Sequence, residues 1–193
     1  MLFNDRLRTD DTVESIPREE MLRHWLEKEV HENDGDDLAV DAIDDEDRLL
    51  DELVERKPIA ESIFADSDLR WHHLDLHEDE LEALHTIKGE SGEDWRAITE
   101  ENTIASIADH IHEADDLAEL DTPKDLEQVV DFASKFPDEI EMEELIVADE
   151  ADEDAYLADG NHRAVAIALH LRDGGAYPEQ EAYVGVSADE LDR

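Results

Sequence analysis

Apolar residues recur along this chain in two rhythms, one that winds with a helix and one that runs or alternates as in strands. Met21, Leu22, Trp25, Leu26 and Val30 form an amphipathic stripe, with Ser15, Pro17, Glu19 and Glu20 ahead of it. That order predicts a helix capped by Ser15 with Pro17 in its first turn. After the polar break around Asn33 and Asp37, a second helix is predicted over 40–56, carrying Ile43, Leu49, Leu50, Leu53 and Val54 and ended by Pro58. Its acids Asp44, Asp45, Glu46 and Asp47 read as a solvated face. Residues 1–60 therefore read as an acidic helical N-terminal extension.

The texture changes near Asp66. Residues 69–76 predict a strand, and a polar connector with Gly89 and Gly92 precedes Trp95. A helix from Asn102 or Thr103 through His112 places Ile104, Ile107, Ala108 and Ile111 on one face. Thr122-Pro123-Lys124-Asp125 predicts another helix start with Thr122 as the cap, and Pro137 closes that helix. Two short apolar strands follow at 145–148 and 155–158, then a helix over 163–171 that is apolar nearly all round and so predicted to be buried on several sides. Asp173-Gly174-Gly175 stops it, and 181–186 makes one more strand. Strand, strand, Gly turn, buried helix, strand predicts an α/β or α+β domain over 66–193.

Composition changes the setting of this fold. Acidic residues number 59 against 16 Lys plus Arg, a formal net charge of −43, and only five of the basic residues are Lys. Because the acids are interspersed among periodic apolar positions, the composition reads as the solvated surface of a halophilic protein and not as disorder. At molar salt the Debye length is about 3 Å, which screens the repulsion. The absence of Cys excludes disulfides, Cys–zinc sites and thiol chemistry. No apolar run is long enough for a membrane span, and the N-terminus lacks the apolar core of a signal peptide, so a cytoplasmic protein is expected. The scattered basic residues form no patch for duplex DNA.

The candidate chemistry lies in Asp159-Gly160-Asn161-His162-Arg163. A Gly turn opening a helix exposes free backbone N–H groups, and His and Arg add donors and positive charge, which suits a phosphate. Arg163 is expected to clamp phosphate oxygens, or else to pair with a nearby acid. His162 can donate to a phosphate or act as a general acid/base. Asp159 is expected first to cap the helix, then to hold His162, bind Mg²⁺ through a nucleotide or take a substrate proton. His72, His73, His77 and His85 suggest metal ligands, but His73 and His77 would share a face only on a helix, where the pattern reads strand then turn. No metal site is assigned from the sequence.

With this turn in its strand–turn–helix context, 145–186 resembles the core of the ParB N-terminal/sulfiredoxin-like superfamily, in which a strand, a Gly-x-His-Arg-type turn and a helix follow one another. The resemblance is looser over 66–144 and does not reach residues 1–60. It implies a small mixed sheet with surrounding helices. It also implies phosphate binding by Gly160, Asn161, His162 and Arg163, with His162 and Asp159 as catalytic candidates and ATP, ADP or CTP with Mg²⁺ as ligand. Asn161 stands where sulfiredoxins place their catalytic Cys, which excludes their chemistry, and the DNA-binding region of the partition proteins has no counterpart here. The function expected is a phosphotransferase or NTP hydrolase acting on a nucleotide or phosphorylated small molecule. The alternatives are a ParB-like nuclease and a non-catalytic nucleotide-sensing module that docks a protein partner through the N-terminal helices, with Trp25 and Leu26 at the contact.

Overall fold

The apolar runs near residues 70, 146, 157 and 184 converge on one sheet. The computed structural model describes residues 2–10, 13–33, 37–65, 68–136, 142–151 and 153–191. Its strands are β1 (Glu14–Ile16), β2 (Leu69–Leu76), β3 (Leu145–Asp149), β4 (Tyr156–Asp159) and β5 (Gln180–Ser187), in the order β1-β2-β5-β3-β4. Only β3 and β5 run parallel, so the sheet is mixed. The helices are α1 (Asn4–Thr9), α2 (Arg18–Glu32), α3 (Glu46–Arg56), α4 (Ile59–Ala65), α5 (Glu78–Ala83), α6 (Glu90–Arg96), α7 (Ile104–Glu113), α8 (Leu126–Lys135), α9 (Asn161–Arg172) and α10 (Ala188–Leu191). The protein is a mixed α/β fold.

Because strand side chains alternate between faces, the sheet divides the interior into two cores. Leu74, Leu76, Leu145, Val147, Val184 and Val186 point to one face and pack with Ile104 and Ile107 of α7, Val129 of α8 and Val165 of α9. Leu69, Trp71, Ile146, Ala148 and Tyr156 point to the other and pack with Met21, Leu22, Trp25 and Leu26 of α2 and Leu49 and Leu53 of α3. α9 is buried from Ala164 through Leu169, as its all-round apolar pattern predicts. Among the described residues no helix is long and apolar enough to cross a membrane.

The segment read as an extension supplies the edge strand β1 and one whole helical layer. Ser15 does not cap α2. It lies in β1 opposite His72, and Pro17 takes the cap position with no side-chain bond. The predicted helix over 40–56 breaks into a 3₁₀ turn, Val40–Ala42, and α3. Asp45 causes the restart, its carboxylate accepting from the Arg48 N–H at 3.1 Å. The connector at Gly89–Gly92 is helical instead, with Gly89 at the N-cap of α6 at φ +77°. Asp125, not Thr122, caps α8, accepting from the Gln128 N–H at 3.0 Å, while the Thr122 hydroxyl donates to the Asp94 carbonyl at 2.6 Å. Pro137 lies outside the described residues. Trp25 and Leu26 are fully buried in the sheet-facing core, which removes them as a docking surface for a partner.

Candidate functional site

The site is built on the passage from β4 through Gly160 into α9. Gly160 adopts φ +88°, ψ 18°, a left-handed conformation that L side chains rarely take. A Cβ here would lie 2.3 Å from Cδ2 of Leu145 on β3, so close packing as well as backbone shape requires glycine. The predicted helix start at Arg163 moves forward to Asn161. Gly160 offers no capping side chain, and the first bond of the helix runs from the Ala164 N–H to the Gly160 carbonyl at 3.0 Å. The N–H groups of Asn161, His162 and Arg163 therefore meet no acceptor among the described residues, and they carry the positive end of the helix dipole.

The side chains of the turn divide. Asp159 does not cap α9. Its Oδ2 accepts from Lys28 Nζ at 2.5 Å and its Oδ1 from Lys57 Nζ at 2.8 Å. Burial pushes the Asp159 carboxyl up, but the charges and hydrogen bonds of the two lysines outweigh it and hold it below the usual carboxylate range. Lys57 also pairs with Glu29 at 2.8 Å, and Glu29 accepts from the Trp25 indole at 3.2 Å. Arg163 takes the second role foreseen for it, pairing with Glu143: one guanidinium nitrogen donates to the carboxylate at 2.6 Å and another to the backbone carbonyl at 3.0 Å. Asn161 is buried and its Oδ1 accepts from the Ile87 N–H at 2.8 Å, tying the loop after α5 to the start of α9. His162 alone of the polar side chains in the turn makes no hydrogen bond among the described residues. Its ring meets Trp95 edge-on at 5.0 Å. Burial, reinforced by the Lys124 charge, lowers its pKa and favours the neutral imidazole.

These groups open onto a cleft of about 360 Å³. Lys28 and Lys57 come to it from the helical layer of residues 18–56 and its exit, Lys124 from the segment before α8, and Ile87, Trp95 and Phe132 supply an apolar wall. Lys124 lies 5.6 Å from the Trp95 ring centroid and 3.4 Å from Asp94. Three of the five lysines of a chain carrying 59 acids thus line one cleft. Sequence reasoning missed all three, together with Trp95. The scarcity of lysine was the signal that could have pointed to them. The cleft can hold an anion by cationic side chains and backbone N–H groups at once. Two carboxylates line the cleft: both oxygens of Asp159 are taken by ammonium groups, whereas Glu32, whose pKa burial pushes up, is the carboxylate that could meet a nucleotide-borne Mg²⁺. No protein-family model, curated protein or solved structure matches this chain.

Proposed function

We propose that the cleft binds the phosphates of a nucleotide, ATP, ADP or CTP, and that the protein acts as a phosphotransferase or NTP hydrolase. The observation that carries this reading is the meeting of three lysines with the uncapped start of α9 in a chain of net charge −43. In this reading the N–H groups of residues 161–163 and Lys124 hold phosphate oxygens, while the base or sugar rests against Trp95 and Phe132. His162, kept neutral by burial and without a hydrogen bond among the described residues, is the proton-transfer group. Asp159 acts through the lysines, which it holds in place. Arg163 becomes available only if a phosphate displaces Glu143. The resemblance to ParB N-terminal/sulfiredoxin-like proteins supports the same ligand class, and the acidic, cysteine-free composition supports a cytoplasmic setting at high salt.

A sensing module that binds without turnover is the second reading, favoured by the engagement of both Asp159 oxygens in ion pairs. Calorimetric titration of ATP, ADP and CTP in molar KCl, with and without Mg²⁺, tests the binding common to both readings. One nucleotide binding at one site per chain, weakened by Lys124→Ala, is expected. A folded sample that binds none of them overturns both, and phosphate release by the bound complex separates the first from the second.

A further inference from the structure

A second group of chemistry-bearing side chains gathers on the sheet face covered by α2, and it shares no residue with the cleft lining. In the ladder His73 of β2 stands opposite Tyr183 of β5, and Leu145 of β3 stands opposite Ala182. Strand alternation therefore places His73, Glu181 and Tyr183 on one face, with Glu144, the residue before β3, beside Glu181. α2 brings His24 onto the same face, its ring 4.4 Å from that of Tyr183, while the His73 ring is 4.8 Å from Tyr183. One ligating atom from each of His73, Glu144 and Glu181 lies within 4.8 Å of the others, and His24 Nε2 is 3.9 Å from Glu144 Oε2.

Two features of this group call for a cation. The Nε2 atoms of both His24 and His73 are buried without a hydrogen-bond partner among the described residues, although buried polar atoms are as a rule paired. Neither Glu144 nor Glu181 pairs with a lysine or arginine among the described residues, so folding brings two carboxylates together uncompensated.

We propose that His24, His73, Glu144 and Glu181 form a binding site for a divalent transition-metal ion of the zinc class. Two imidazoles with two carboxylates suit zinc and its first-row neighbours, whereas calcium and magnesium take oxygen donors. Tetrahedral bonds of about 2.1 Å place donors about 3.4 Å apart, so modest side-chain rotation brings His73, Glu144 and Glu181 onto the ion, and His24, which reaches the group through Glu144, swings in as the fourth donor. The donors come from α2, β2, β5 and the entry to β3, and the ion pins the first helical layer to three strands.

The test uses the full chain in molar KCl, where the acidic surface contributes weak background binding. Zinc is titrated in competition with a chromophoric chelator, and cobalt(II) substitution is followed by its visible spectrum. One tight zinc per chain and an intense tetrahedral cobalt spectrum are expected. His73→Ala and the exposed Glu181→Gln each weaken binding by about tenfold or more. His31→Ala, a surface change on α2, leaves binding as it was. Weak multi-site binding with an octahedral cobalt spectrum overturns the site, as does tight binding untouched by both Glu181→Gln and His24→Ala. If His73→Ala does not fold, Glu181→Gln decides.

Discussion

The two sides of the cleft are made in opposite ways. On the α9 side the donors are backbone N–H groups, fixed by one left-handed glycine and contiguous in the chain. On the α2 and α3 side they are two lysine ammonium groups held by one carboxylate, and Lys28 lies 131 residues from Asp159. The first half is rigid and local and bears a partial charge. The second half is non-local, made of side chains that Asp159 holds, and bears full charges. Asp159 belongs to both, since it ends β4 immediately before Gly160 and receives both lysines.

Substitutions that damage one half at a time sharpen this contrast. The largest effect is expected from Asp159→Ala, which strips Lys28 and Lys57 of the buried carboxylate they share and leaves Glu143 and Glu29 as their partners. Urea unfolding in molar KCl is expected to show a loss of about 4 kcal/mol, and a loss below about 1 kcal/mol would mean that water already screens the pair. Gly160→Ala strikes the other half, combining a left-handed backbone with a clash against Leu145. About 3 kcal/mol is expected in the same assay. Lys124→Ala touches neither hub. It is expected to cost stability no more than about 0.5 kcal/mol while weakening nucleotide binding about tenfold, which calorimetry resolves.

The smallest effects are pH effects, and the two halves separate by window. The His162 pKa is depressed, so the stability it contributes is present above its ordinary value near 6.5 and is lost as pH falls through the folded value. Over the same window His162 becomes cationic, so nucleotide affinity is expected to rise, and His162→Gln flattens that rise. Asp159 is also depressed, but from a carboxylate value of 3.8, so its contribution survives this window and is lost only at lower pH.

The local half of the site was legible in the sequence because Gly160 and the apolar helix behind it are neighbours in the chain. The strands at β2, β3, β4 and β5 were legible for the same reason. The charge half was not, because nothing in the local pattern around Lys28 or Lys57 distinguishes them from solvated helix lysines. Their role follows from β1 pairing with β2, which folds the first helical layer onto the sheet. Ser15 shows how that pairing stayed hidden, since a good capping residue was captured by a three-residue strand. Which acid Arg163 meets, and that Asp159 receives two lysines in place of capping α9, stayed hidden for a related reason. In so acidic a chain a cation readily finds carboxylates, and which ones is decided by tertiary structure.

The strand order has a consequence for synthesis. β2 lies between β1, already made when β2 emerges, and β5, which follows it by about a hundred residues, and its eight-residue ladder with β5 is the longest in the sheet. Until β5 is translated, one edge of β2 stays open, β3 lacks its parallel neighbour, and the apolar layer of α2 has only part of a platform to cover. A ribosome-bound chain arrested before residue 180 therefore exposes a sticky sheet edge that the finished protein hides.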